Sequence, residues 1–293
     1  MPEILTNKSW ALATLSVSTL RAIPDDTSEL VTQVLTGTPL KVLDQKEKWY
    51  QVQTPELYTG WMDRSGLQIL DEAGMEKWMK SDRHLYRRIS GYAFENPGDE
   101  GNVVTDLVLG DLFEVESEAD GYFNLKMPDG RSGYVKKEDC ISFDAWTSKE
   151  PDAASILSVA RQMMGSPYLW GGASSKASDC SGFTKLVYYS QGIILARDVS
   201  QQARYGEPID ISNIGNLQKG DLLFFGNNPE RPGHVGIYLG NGDFIHSSGR
   251  VHISGIIPGD PRHDPSRNFV AARRILNSLN TEGITRVGSH TWY

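Results

Sequence analysis

Asp179-Cys180-Ser181-Gly182-Phe183 is the stretch on which the reading of this chain turns. Phe183, Leu186 and Val187 keep a helical period after it, so Cys180 is expected in the first turn of a helix. There the exposed backbone N–H groups and the positive dipole end favour thiolate over thiol. Two histidines follow on strand-like segments, His234 in Gly233-His234-Val235-Gly236-Ile237-Tyr238 and His246 in Phe244-Ile245-His246-Ser247. Val235, Ile237 and Leu239 share one face of the first segment and can bury, while His234 and Gly236 share the other. Gly236 is expected to leave room beside His234 for a helix end or a substrate. The turn Gly240-Asn241-Gly242 predicts a hairpin that brings His246 back across from His234. A thiol, a base and a group that holds the base are the parts of a cysteine nucleophile site, with Cys180, His234 and His246 in those roles.

Upstream, Ile156, Ala160, Met163 and Met164 recur at helical spacing and Gly165 ends the pattern. The loop Ser166-Pro167-Tyr168-Leu169-Trp170-Gly171-Gly172 then leads to Asp179. In the segment Arg197-Asp198-Val199-Ser200-Gln201-Gln202, Asp198 and Ser200 are candidates to line a substrate cleft, and equally to cap a helix.

The 293 residues suit two or three domains, and 39% hydrophobic content with 7 Trp and 12 Tyr is enough for real cores. A net charge of −8 with no basic stripe argues against nucleic acid. No apolar run reaches the 18 residues or so that a membrane span needs. Met1 to Trp10 lacks the charged-then-apolar layout of a signal peptide, so a cytoplasmic protein is expected, or a periplasmic or cell-surface one if a leader has been removed. Of the two cysteines, Cys140 ends a strand pattern and reads as a small buried hydrophobe; the sequence leaves a bridge to Cys180 open. The spacing of His246, His252 and His263 does not fix metal-ligand geometry, and no P-loop is present, so neither metal nor nucleotide cofactor is expected.

The first half repeats itself. A shift of 73 residues lays Val31-Thr32 on Val104-Thr105, Gly37 on Gly110, Val42 on Val115, Trp49 on Tyr122, Pro55 on Pro128, Gly60 on Gly133 and Trp61 on Tyr134, without a gap. Leu40 to Leu43, Tyr50 to Gln53, Leu112 to Val115 and Phe123 to Lys126 alternate like strands between turn residues, which predicts a small barrel per copy. Glu76 to Arg88 reads as a short connecting helix and a strand start, residues 141–152 as a linker, and the polar end beyond Asn277 as a loose tail.

The pattern Gly37, Trp49-Tyr50, Pro55, Gly60-Trp61 resembles bacterial SH3-like domains. Pro167-Tyr168-Leu169-Trp170-Gly171-Gly172, Asp179-Cys180-Ser181-Gly182-Phe183, Gly220-Asp221-Leu222, Gly233-His234-Val235-Gly236-Ile237-Tyr238 and Ile245-His246-Ser247 together resemble the NlpC family of papain-like cell-wall peptidases. With two SH3-like repeats, the closest likeness is to its γ-D-glutamyl-L-diamino acid endopeptidases. The fold so implied is α+β: SH3-like barrels over 8–72 and 83–145, a papain-like catalytic domain over 151–276, and a polar tail over 277–293.

The resemblance implies a cofactor-free thiol peptidase acting on murein peptides with a free N-terminal L-Ala. Cys180 would attack the γ-D-glutamyl carbonyl as thiolate, His234 would serve as base and then acid, and His246 would orient it. Tyr168 and the Cys180 N–H would stabilise the oxyanion. It also implies substrate contacts from Asp179, Ser181 and Trp170, with Glu56 and Tyr92 of the SH3-like modules as candidates for the L-Ala ammonium. A non-catalytic wall-peptide binder, or an amidase or acyltransferase on the same scaffold, are the competing readings.

Overall fold

The computed structural model describes residues 9–98 and 101–293, so the expected start of the first barrel at residue 8 lies just outside the described residues. The described residues form two compact units, one of those up to 148 together with 291–293, the other of 149–290.

The first unit holds two seven-stranded antiparallel sheets. One is built from β1 (Trp10–Ala13), β2 (Ser18–Arg21), β3 (Leu30–Val34), β4 (Pro39–Lys46), β5 (Trp49–Gln53), β6 (Thr59–Asp63) and β7 (Leu67–Leu70). After helix α1 (Glu72–Lys80), capped by Asp71, the other is built from β8 (Arg83–Tyr86), β9 (Ser90–Phe94), β10 (Val103–Val108), β11 (Leu112–Ala119), β12 (Tyr122–Lys126), β13 (Ser132–Lys136) and β14 (Cys140–Ser142). The strand orders β3-β2-β6-β5-β4-β1-β7 and β10-β9-β13-β12-β11-β8-β14 are the same topology twice.

The 73-residue shift extends well beyond the matched sequence. It carries β4 onto β11, β5 onto β12 and β6 onto β13, and the irregularity between Val42 and Asp44 onto that between Val115 and Ser117. An extra residue at that point bends each strand and closes each small sheet on itself. Each barrel has its own core, one around Leu20, Leu40, Val42, Tyr50, Val52 and Met62, the other around Leu107, Phe113, Leu125, Met127 and Val135. Trp49 is buried, whereas Trp61 is only half-buried. Cys140 lies in the second core as a free thiol, and Cys180 is likewise free.

The barrels are clasped by one carboxylate. Asp111, wholly buried, accepts from Val108 N in its own barrel at 2.8 Å and from Thr36 N of the other at 3.0 Å. Leu112 N donates to Thr36 O at 3.0 Å. Gly37, at φ +75°, lies so close that a Cβ there would sit 2.2 Å from Leu112 O. Ser16 Oγ to Asp106 and Arg131 to Thr14 O complete the seam.

Two segments expected to be loose are ordered. Within the supposed linker, Phe143–Ser148 forms helix α2, whose Trp146 is buried and whose Phe143 ring lies 3.9 Å from the guanidinium carbon of buried Arg83. Apolar residues two and three apart in a short polar stretch gave no helical period long enough to read. The polar tail is also placed. Ile284–Arg286 pairs with Ile193–Leu195, and Trp292 packs edge-on against Trp10 at 5.3 Å with Lys41 Nζ 4.8 Å from its ring. Isolated anchors, not periodicity, hold that end.

The second unit opens with α3 (Ala153–Gln162), whose N-cap Asp152 accepts from Ser155 N at 2.8 Å. Ile156, Ala160 and Met163 are buried as the spacing predicts, but Met164 lies past the helix end and is exposed. Then follow α4 (Cys180–Tyr189), β15 (Ile193–Leu195), α5 (Val199–Gln202), β16 (Glu207–Pro208), β17 (Leu222–Phe225), β18 (His234–Gly240), β19 (Asp243–Ser248), β20 (Arg250–Gly255), β21 (Phe269–Arg274) and β22 (Ile284–Arg286). Six strands form an antiparallel sheet in the order β16-β21-β17-β18-β19-β20. Helix α4 lies against β18 and β19, burying Phe183, Leu186 and Val187. No helix among the described residues is long and apolar enough to cross a membrane.

Trp292→Ala should lower the stability of the first unit by about 3 kcal/mol, as expected for removing a buried aromatic. A denaturant titration followed by tryptophan fluorescence checks this, and an unchanged midpoint would return the tail to a loose end.

Candidate active site

Cys180 is the first residue of α4, so its N–H has no carbonyl within the helix to bond. Asp179 caps the helix, its Oδ1 accepting from Gly182 N at 2.7 Å. The same carboxylate accepts from Gly171 N at 3.0 Å and from both terminal nitrogens of Arg197, at 2.6 and 3.1 Å. Ser181 Oγ donates to it at 3.2 Å and accepts from Arg197 at 3.0 Å. Arg197 and Asp179 are buried, so this is a two-point charged pair shielded from water. Gln202 closes the group by donating to Ser181 O and Ala196 O. Close approach of the preceding loop is possible only because Gly182 has no side chain: a Cβ would lie 2.0 Å from Gly172 O.

Strand β18 brings the base. His234 stands at its start, where pairing with β19 has not yet begun; the ladder starts at Ile237 opposite Ile245. Val235 N–H is thereby left to donate to the Cys180 sulfur, as Ser181 N–H also does, and this sets the thiol beside His234. The Asn241 and Gly242 backbones, at φ +56° and +84°, make the expected tight hairpin. It delivers His246, whose Nδ1 lies 2.8 Å from His234 Nε2 in an edge-to-face arrangement at 88°. His246 Nε2 is 3.1 Å from Ser254 Oγ on β20, and the His252 ring lies against His246 with centroids 4.2 Å apart. The space beside Gly236 is filled from the next strand. A Cβ there would meet Phe244 at 2.7 Å and the His246 Cβ at 3.1 Å, so the space belongs to the cross-strand neighbours that hold the base.

These contacts fix the tautomers. With His234 Nε2 engaged by His246, its Nδ1 is the atom left for the thiol. To take the thiol proton Nδ1 must be bare, so Nε2–H donates to His246 Nδ1, and His246 Nε2–H donates to Ser254. Burial, then the charges of Arg267 and His252, lowers the His234 pKa to about 3; burial, then His234 and His252, lowers that of His246 to about 2. Burial and the Asp179 charge push the Cys180 thiol up to about 11, against the opposing pull of the Val235 and Ser181 N–H groups and Arg197. These directions favour the neutral thiol and neutral imidazole over the charge-separated pair. The dipoles of the helix N-terminus, expected from sequence to favour thiolate, are opposed here by desolvation and an adjacent carboxylate.

Tyr168 lies on the loop before the helix, its phenol pKa raised by burial and by the Cys180 and Asp179 charges next to it. Its hydroxyl has no hydrogen-bond partner among the described residues and is free to donate. Trp170, 65% exposed, and Leu169, 39% exposed, give the same loop an apolar surface that suits a substrate. Asp179 and Ser181, expected from the resemblance to contact substrate, are buried and bound into the Arg197 network beside Cys180. Asp198 takes the N-cap position of α5, with Gln201 Oε1 accepting from its N–H at 3.0 Å, and Ser200 lies half-buried within that helix.

Glu56 and Tyr92 belong to the other unit. Glu56 sits half-buried in the turn between β5 and β6 of the first barrel. Tyr92, exposed on β9, lines a cavity of about 280 Å³ with Arg88, Tyr122, Lys136 and Asp139. Of that lining, Asp139 is paired with Arg88. Arg197, Gln202 and Ser254 were not singled out from sequence. Ser254 had a signal, since it alternates with His252 on the strand that returns past His246. Among the described residues, no group of three or more His, Cys, Asp or Glu side chains is disposed to hold a metal ion.

Comparison with known proteins agrees with this geometry. The NlpC/P60 family profile matches residues 165–267, and that of the bacterial dipeptidyl-peptidase SH3 domain matches residues 20–67. The chain is 29% identical over 245 residues to dipeptidyl-peptidase 6 of Lysinibacillus sphaericus, covering 81% of this chain and 87% of that protein. It is 29% identical over 261 residues to a γ-D-glutamyl-L-lysine dipeptidyl-peptidase of Bacillus cereus, covering 85% and 76%. A crystal structure of an NlpC/P60 family protein from Bacillus cereus superposes with a TM-score of 0.77 at 25% identity, over 90% of this chain and 99% of that one.

Two outcomes test the site. In a Cys140→Ala background, alkylation of Cys180 by iodoacetamide should accelerate steadily from pH 5 to pH 9; a plateau below pH 6 would mean a resting thiolate–imidazolium pair. Arg197→Met should cost about 3–5 kcal/mol of unfolding free energy, because it strands the Asp179 charge in the interior; calorimetry showing a loss under 1 kcal/mol would remove the pair from its structural role. The comparisons support a cysteine peptidase, with an NlpC/P60 domain over residues 165–267 and a bacterial dipeptidyl-peptidase SH3 domain over residues 20–67.

Proposed function

We propose that this peptidase hydrolyses the γ-D-glutamyl-L-diamino acid bond of murein-derived peptides whose N-terminal L-Ala is free. The observation that carries the chemistry is the His234–His246 pair set against Cys180 at the mouth of α4. The bond is taken from the relatives, one of which bears that bond in its name and aligns over most of this chain.

On this reading the peptide carbonyl enters beside Cys180. As the sulfur attacks the carbonyl carbon, the S–H proton passes to His234 Nδ1, so thiolate character develops only together with the new S–C bond. The Cys180 N–H and the Tyr168 hydroxyl donate to the oxyanion, a type of contact worth about 3 kcal/mol of barrier. His234 then returns its proton to the leaving amine as the C–N bond breaks, leaving a thioester. Water, deprotonated by the same imidazole, attacks the thioester; the second tetrahedral intermediate collapses to the dipeptide acid and the thiol. His246 keeps His234 in the required tautomer throughout, and Ser254 holds His246.

L-Ala-γ-D-Glu-L-Lys and its meso-diaminopimelate counterpart, incubated with wild type and with Cys180→Ala, are the direct test. Mass spectrometry should find L-Ala-D-Glu released by the wild type alone, and poorly from N-acetylated peptide. Equal rates with and without the acetyl group would remove the free amine from the proposal. Intact peptide after incubation with either protein would overturn the assigned bond and favour the binder or acyltransferase readings.

A further inference from the structure

One cation beside the catalytic pair is unexplained by the steps above. Arg267 belongs to the segment that follows β20 and leads into β21. At this edge of the sheet β17 ends at Phe225, β18 begins at His234 and β19 ends at Ser248, while Phe225 is in register with both His234 and Phe269. The segment is fixed across that edge from two sides: Asn268 Nδ2 donates to Gly226 O at 3.0 Å, and Arg267 Nη2 donates to Ser248 Oγ at 2.7 Å. In the sheet order β21-β17-β18-β19, a residue next to β21 that reaches the end of β19 must pass the start of β18, where His234 stands. The influence of the Arg267 charge on both catalytic imidazoles agrees with this placement.

The guanidinium is held but not used up. Asp264 Oδ2 lies 3.1 Å from Nε, and that carboxylate is also engaged by Ser266 N and Oγ. Nη2 is on Ser248, and Nη1 has no partner among the described residues. The side chain retains 19% of its exposure. A cation beside a base that must stay neutral works against the imidazolium formed during turnover, so its presence needs another reason. Chemistry supplies one. A general acid must come within hydrogen-bond reach of the nitrogen it protonates, so the leaving amine lies next to His234. Arg267 acts on the same ring, so its charge is near where the leaving residue is released.

We propose that Arg267 reads a free carboxylate on the leaving-group residue, which makes the enzyme selective for a scissile bond followed by an amino acid whose own carboxyl group is unblocked. This rests on the reading of the substrate given above, and it adds the side of the bond on which that reading is silent. Guanidinium suits the task, since it stays charged at any working pH and presents paired donors to a carboxylate.

Two measurements decide it, one of which needs no substrate. Iodoacetate and iodoacetamide alkylate the same sulfur and differ in a carboxylate. In the Cys140→Ala background, Arg267→Gln should lower the iodoacetate-to-iodoacetamide rate ratio by about threefold or more, while Arg267→Lys largely keeps it; a ratio unchanged in Arg267→Gln overturns the proposal even if no peptide is ever cleaved. With wild type and the tripeptide, converting the C-terminal carboxylate to carboxamide should raise KM about tenfold, the worth of one charged hydrogen bond, with kcat little changed. Equal KM values overturn the proposal while leaving the assigned bond intact.

Discussion

The buried pair between Asp179 and Arg197 is the constraint on which the catalytic unit depends. Each ion alone would be too costly to desolvate at this depth; together, with backbone donors taking up the remaining lone pairs, they are tolerated. Their value is in what they join. One carboxylate ties the glycine loop through Gly171, the first turn of the cysteine helix through Gly182, and the segment entering the next helix through Arg197. Cys180 is the neighbour of that knot, so the position of its sulfur is set by three separate stretches of chain at once. The residue beside the nucleophile thus serves as the junction of these stretches.

The choice of a second histidine to hold the first has an electrostatic consequence. A carboxylate in that place would favour the imidazolium and pull the pair toward charge separation. His246 is neutral, and the groups that flank it, Ser254 and His252, supply orientation without a negative charge. Arg267 adds a positive field, which also favours the neutral imidazole. Protonation of His234 is then favourable only while negative charge is developing on the substrate oxygen nearby, which ties proton transfer to bond formation.

Local pattern was enough to find most of this. The helical period after Cys180, the strand starting at His234 and the Asn-Gly hairpin each follow from residues within a few positions of one another, and they bring Cys180, His234 and His246 together. The 73-residue repeat gave two barrels because strand and turn positions are duplicated together. What stayed hidden depends on distance in sequence. Nothing near Arg197 signals a partner eighteen residues earlier, and nothing near Cys180 reveals how deeply the fold will bury it. The Phe143 helix and the Trp292 anchor escaped for a related reason: a single aromatic ring can fix a polar segment without leaving any period.

The seam between the barrels gives the duplication a direction. Leu112 opens its strand by donating its N–H to Thr36 of the other copy. Seventy-three residues earlier the equivalent position is Pro39, which has no N–H to give. The reciprocal bond cannot form, so the two copies cannot exchange places, however alike their cores. Nor can a pair of first barrels build this contact between themselves, because neither would bring the donor. A proline at one strand start and a leucine at the other have turned a repeated sequence into an ordered pair.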